Sequence, residues 1–324
     1  MAHAASGDYR CAVLAVRAPR LLLLPAIFVA ACALPPPARS PARVPEGAAA
    51  PAAPAPLRAP LAPAEEDRAE PARAQAPLPS PERAPWPPAP PGIETSYCLS
   101  GVMEALAEDA CYVLPDQPTT TLLIYLPGLM PNRPDSPEKR GVETVVAKAS
   151  RRAGVAALVP RGPTRDELAA PGRDPKGLGD HRSWPTSDGA YRQHALALVE
   201  RINAKRRALE ALAGAPFERV YLGGSSAGAY FVGHLALRGD FPADGYLVLS
   251  GGSARPAKGL SEREKGRLYV GYGDGDIVGP KANEVARQAR SAGWEVMVAM
   301  HHTGHGSREV YLDEAFAFFG VTPR

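Results

Sequence analysis

The sequence predicts an α/β fold, one mostly parallel sheet of about eight strands with helices on both faces. Strand-like and helix-like stretches alternate from residue 110 to the C-terminus, and the strand-like ones are continuous apolar runs such as TTTLLIYL at 119–126 and GVAALVPR at 154–161. A strand that is apolar at every position has both faces buried, as in a parallel sheet covered by helices on each side. In addition, the segments rich in Gly, Ser, Asp and His follow directly on strands, where open α/β sheets place their ligand sites.

Seven strands stand out: residues 110–114, 119–126, 154–161, the run starting at Arg219, 245–250, 267–272 and 294–300. Between and after them, helical periodicity predicts helices over 137–153, 188–212, 229–238, 281–292 and 308–319. Residues 161–185, rich in Gly, Pro and charge, read as a long loop. The intervals between strands are too short for a large inserted cap domain.

The front of the chain is different. Nineteen of the 37 prolines fall in residues 33–92, where Pro and Ala fill 37 positions and six arginines offset six acidic residues. Such a segment buries too little apolar surface to offset the entropy of ordering it, so a disordered, partly polyproline-II spacer is expected. The globular domain is then residues 93–324, enough for one full core. Residues 1–31 carry Arg10, Arg17 and Arg20 ahead of the apolar run 21–30, a pattern expected of a secretory signal rather than a membrane span. The formal charge of +3 lies mostly here, which leaves the globular domain near neutral and without a basic footprint for nucleic acid.

Val29-Ala30-Ala31-Cys32 resembles the lipobox of bacterial lipoprotein signals. That resemblance implies a lipidated Cys32 as the new N-terminus, a membrane partner through the lipid, and a location in the cell envelope, the outer membrane if the host has one. A plain cleavage site also fits Ala31-Cys32-Ala33. The spacer favours the anchor, because ~60 residues of polyproline II at ~3.1 Å each reach on the order of 180 Å from a surface. In the globular domain the cysteines are Cys98 and Cys111, which an oxidising compartment would join, the alternative being two buried thiols.

The chemistry centres on RVYLGGSSAG at 219–228. A strand runs into Gly224-Ser225-Ser226-Ala227-Gly228 and then a helix, the context of a nucleophile elbow, in which a serine occupies a strained turn and its neighbours must be small. The frame with glycine on both sides makes Ser226 the nucleophile; the frame Gly223-x-Ser225-x-Ala227 is the other possibility. After the strand at 267–272 comes Gly273-Asp274-Gly275-Asp276, and after the strand at 294–300 comes His301-His302-Thr303-Gly304-His305-Gly306. A serine hydroxyl needs an imidazole to take its proton and a carboxylate to hold that imidazole's tautomer. His305, between glycines, is expected as the base and Asp276 as its carboxylate. Asp274 reads as a turn residue, and His301 and His302 as packing or supporting residues.

The chain order Ser226, Asp276, His305 resembles that of the α/β-hydrolase superfamily, closest in style to esterases of the dienelactone-hydrolase and polyhydroxybutyrate-depolymerase type. The resemblance covers the chain from about Ala110 onward. It implies the α/β-hydrolase fold of eight strands, so an eighth is expected near residues 94–100. It also implies an oxyanion hole from the N–H groups of Ala227 and Leu129, with Pro127-Gly128 standing where many relatives have His-Gly. The implied activity is hydrolysis of carboxylic esters, small or polymeric, with no cofactor. A serine peptidase of the same fold and a non-catalytic envelope binding protein are the alternatives. A metal site from the three histidines lacks a His-Glu-x-x-His helix and a nearby acidic ligand, so none is expected. Arg161, Arg165, Arg182 and Trp184 are expected to border the pocket and favour an acidic acyl group, or else to be solvated. Oligomeric state is not legible.

Overall fold

The computed structural model describes residues 98–321 apart from 100, 108, 134–135, 169–179 and 253–264. The signal-like segment, Cys32 and the spacer lie outside the described residues.

The described residues build an eight-stranded sheet from β1 (Glu104–Ala107), β2 (Ala110–Val113), β3 (Thr121–Leu126), β5 (Ala156–Pro160), β7 (Arg219–Ser225), β8 (Gly245–Leu249), β9 (Arg267–Gly273) and β10 (Glu295–His301), in the order β1-β2-β5-β3-β7-β8-β9-β10. β2 is antiparallel to both its neighbours and every pairing from β5 to β10 is parallel. This is the α/β-hydrolase fold that the motifs implied.

Alternation along β3 shows why its run is apolar throughout. Leu122, Ile124 and Leu126 pack on one face with α3 (Asp188–Ala213), α4 (Ala227–Arg238) and α5 (Gly279–Ser291). Leu123 and Tyr125 pack on the other with α1 (Pro137–Ala153) and α6 (Glu309–Phe318). With successive side chains on opposite faces, both must be apolar when both faces are covered. The helix ends follow local chemistry. Ser136 Oγ accepts from Lys139 N ahead of Pro137, and Gly154 closes α1 at φ 64°. Ser187 caps α3 in the same way, accepting from Ala190 N.

Two expectations need correction. The first strand is Glu104–Ala107, not 94–100; of that stretch Cys98 and Leu99 are described, and neither is in a strand. Glu-Ala-Leu-Ala is made of good helix formers, and here pairing with β2 overrides that preference. Cys98 and Cys111 are joined, with Cα atoms 5.6 Å apart, and tie the segment entering β1 to β2. Closing a loop of this length contributes about 3 kcal/mol in the chain-entropy model. Secondly, residues 161–185 are not simply a loop: they contain the short α2 (Arg165–Leu168) and β6 (His181–Arg182), which pairs antiparallel with β4 (Met130–Pro131).

Candidate active site

β7 ends at Ser225 and α4 begins at Ala227, so the whole strand-to-helix turn falls on Ser226, with φ 51° and ψ −120°. Such a conformation costs a side-chain-bearing residue about 1–3 kcal/mol and persists where the surroundings impose it. Here they do. Ser226 N–H is bonded to Leu249 O at 2.9 Å, and Ser226 O receives the Tyr230 N–H at 3.1 Å. A Cβ added at Gly228 would stand 2.0 Å from Leu126 O, and one at Gly224 would stand 2.7 Å from the same oxygen. The glycines on either side of the turn therefore let β3, β7 and α4 approach. Ser225, by contrast, is buried, and its Oγ accepts from the Ser307 hydroxyl at 3.0 Å.

Residues 274–278 follow β9, and residues 302–306 follow β10. His305 Nδ1 lies 3.0 Å from Asp276 Oδ1, and the Asp276 side chain is fully shielded while 47% of the His305 side chain is exposed. Burial pushes the Asp276 carboxyl up. The N–H of Val278, His305 and the Ser250 hydroxyl more than offset this, so it sits below its ordinary range and stays ionised. Asp274 pairs with His302 on the surface at 2.7 Å. His301 lies 2.9 Å from Glu314 and edge-on to Tyr311. The three histidines thus face three different carboxylates, and His301 packs as expected, whereas His302 is almost wholly exposed and packs on nothing.

Ser226 and His305 border one cleft of about 570 Å³. Gly128, Leu129 and Met130 form one side, and Gly141, Val142 and Val145 of α1 supply an apolar wall, with Glu138 and Arg308 also bordering it. Ala227 is the first residue of α4, so its N–H has no acceptor within the helix. Leu129 lies between β3 and β4, in neither ladder.

Arg161 and Arg182 do not border the cleft. Arg161 Nη2 and Arg182 Nε both donate to Asn132 Oδ1, at 2.9 and 2.8 Å, and Arg182 Nη1 also reaches Gly162 O at 3.1 Å. Trp184 is buried and stacked on Phe231. Among the described residues none of these borders the cleft; the Arg165 side chain lies outside them. Their geometry braces the chain just after Leu129 through β4, β6 and Asn132. Charge and glycine content marked this stretch as a pocket rim, but a guanidinium that finds a neighbouring amide oxygen and a main-chain carbonyl is spent on structure. Sequence reasoning also missed Asn132, Ser250, Tyr125 and Ser307. None sits in a local motif, and only tertiary approach brings them to the site.

No family model and no curated relative matches the sequence. Among solved structures the chain is similar to esterase PE8, with 16% identity over 65% of this chain and 97% of that one, at a TM-score of 0.47. It is similar also to the Bacillus cereus carboxylesterase, with 12% identity over 68% of this chain and 95% of that one, at 0.46. Zea mays acyl-protein thioesterase 2 gives 15% identity over 65% of this chain and 99% of that one, at 0.45.

Proposed function

We propose that this chain is a serine hydrolase acting on carboxylic esters, held in the cell envelope by a lipid on Cys32. Ser226 attacks the ester carbonyl as His305 takes its proton, and Asp276 holds the imidazole and stabilises the imidazolium that forms. The N–H groups of Leu129 and Ala227 receive the developing oxyanion. The intermediate collapses as His305 returns the proton to the departing alcohol, which leaves acyl-Ser226; water activated by His305 then hydrolyses that ester, releasing the acid and restoring the Ser226 hydroxyl. The observation that carries this reading is the shielded Asp276 carboxylate on His305, with His305 and Ser226 bordering one cleft. The apolar wall of Gly141, Val142 and Val145 supports an ester with an apolar acyl or alcohol group, and leaves small and polymeric substrates equally open.

The test is labelling with a fluorophosphonate probe, adduct mapping, and turnover on matched ester and peptide panels. The adduct is expected on Ser226, with esters preferred, and Ser226→Ala is expected to lower turnover by about three orders of magnitude or more while the fold persists. An adduct on Ser225, or full activity in Ser226→Ala, overturns the mechanism. Peptide turnover without ester turnover replaces the substrate class. The anchor rests on Val29-Ala-Ala-Cys32 and the spacer. Cys32→Ala is expected to shift the protein out of the membrane fraction or block its processing, and an intact mass with no lipid on the mature N-terminus overturns it.

A further inference from the structure

His305 stands between Gly304 and Gly306, and its side chain is half exposed, so the imidazole has little packing of its own to fix it. Asp276 fixes the ring's tilt through one contact at 3.0 Å. It does not fix how far the loop stands from Ser226.

Two buried serines do reach that loop. Ser250, at the end of β8, accepts the Gly306 N–H at 3.0 Å and lies 3.3 Å from Gly306 O as donor. Ser226 and Ser250 are the two non-glycine residues with positive φ among the described residues, both at 51°. Backbone strain is thus concentrated at the nucleophile turn and at the residue holding the base loop. One residue further, Ser307 donates its hydroxyl to Ser225 Oγ at 3.0 Å, which leaves the Tyr125 phenol as donor to Ser307 Oγ at 2.6 Å. All three hydroxyls are buried, Tyr125 completely, on the central strand β3. Burial pushes the Tyr125 phenol up to about 12, so it remains an O–H donor across the working range. Ser225 precedes the nucleophile and Ser307 lies two residues after the base, so a single hydrogen bond spans the gap between the two catalytic segments.

We propose that Ser307 is a positioning residue, which sets the distance between His305 and Ser226 by locking the base loop onto Ser225 and Tyr125. This rests on the serine-hydrolase reading above and adds to it a residue outside the triad and the oxyanion hole, on the wall of the same cleft. A chain of three hydrogen-bonded hydroxyls on buried residues holds its partners in one arrangement, and a misplacement of about 1 Å can cost on the order of a hundredfold in rate.

The experiment measures kcat, KM and the melting temperature of full-length wild type, Ser307→Ala, Tyr125→Phe and the double variant on one activated ester, well below every melting point. Ser307→Ala is expected to lower kcat about 10- to 100-fold with KM changed less than about threefold. Tyr125→Phe, which keeps the ring, is expected to lower kcat less, and the double variant to match Ser307→Ala, because both act on one geometric quantity. If Ser307→Ala does not fold, the effect is read from Tyr125→Phe alone. The proposal is overturned by kcat within about twofold of wild type in Ser307→Ala, or in Tyr125→Phe where that variant alone can be read. It is equally overturned by losses that multiply in the double variant, or by a loss confined to melting temperature or KM. His305→Ala and Ser226→Ala are run alongside. If either retains full turnover, the serine-hydrolase reading itself fails, whereas their loss beside an unaffected Ser307→Ala sinks the positioning role alone.

Discussion

The turns after β9 and β10 are tied by two aspartate–histidine contacts, one wet and one dry. Asp274 and His302 are 2.7 Å apart, with 42% of the first side chain and 99% of the second exposed. Asp276 and His305 are 3.0 Å apart, with the carboxylate fully shielded. The shorter contact is the less consequential. In water an ion pair gains little, because solvent screens it and two side chains must be ordered to make it. A shielded carboxylate that already accepts a backbone N–H has no solvent to fall back on, so its contact with the imidazole is held more firmly. Proximity in sequence and in space is alike for the two pairs; what separates them is the surroundings of the carboxylate.

The sharpest way to break this contrast is to neutralise each aspartate in turn. Asp276→Asn keeps the shape but presents an amide to the ring, so His305 adopts the wrong tautomer, and kcat is expected to fall by about 10³–10⁴. His305→Ala is expected to do at least as much. Steady-state kinetics on an activated ester, with a thermal melt to show that each variant is folded, checks both. Asp276→Asn at more than a tenth of wild-type kcat would remove the distinction between the pairs.

His234 supplies a third arrangement, burial without a carboxylate contact. It sits on α4, which follows the Ser226 turn, buried, with its ring 4.8 Å from that of Tyr191. Burial, with the Arg238 charge adding to it, pushes His234 down to about 4 from the ordinary 6.5. Below the ordinary value the unfolded chain takes up a proton that the folded one refuses, so stability is lost as pH falls from 6.5 toward 4. Moving from about pH 7.5 to about pH 5 is expected to cost about 1–2 kcal/mol through this one residue. Thermal melts across that range should show a shallower fall in His234→Gln than in wild type. Equal slopes would mean that burial alone does not set the proton affinity here.

The legible parts of the molecule were those in which cause and effect are neighbours in the chain. The bounds of α1 follow from Ser136, Pro137 and Gly154 within a turn of each end. The elbow could be read because strand, small residues and helix are contiguous, and Asp276 and His305 because each follows its own strand. β1 was misplaced because its identity comes from β2, and β4–β6 was missed because two-residue strands have no periodicity to detect. The hydroxyls of Tyr125, Ser225 and Ser307 meet across separations of 182 and 82 residues, and no local pattern announces such a meeting. For the same reason Arg161 and Arg182 were expected either to border the pocket or to be solvated, and their bracing role was missed: a solvated, a recognising and a bracing guanidinium share one sequence signature.

The smallest expected effect belongs to the exposed pair, and it sharpens the contrast from the other side. The Asp274 hydrogen bond and charge raise the His302 imidazole above its ordinary value, and the same contact lowers the Asp274 carboxyl. A histidine raised on folding contributes stability that is fully present below its unfolded value and is lost as pH rises through its folded one. Because both groups stand in water, that contribution is small and salt-dependent. Asp274→Asn is therefore expected to leave kcat within about twofold and the melting temperature nearly unchanged. The His302 ring resonances followed by NMR should titrate at lower pH in Asp274→Asn than in wild type, and raising the salt should move wild type toward the variant. If Asp274→Asn instead cost as much activity as Asp276→Asn, the two turns would act as one unit, and burial would not be what selects the working pair.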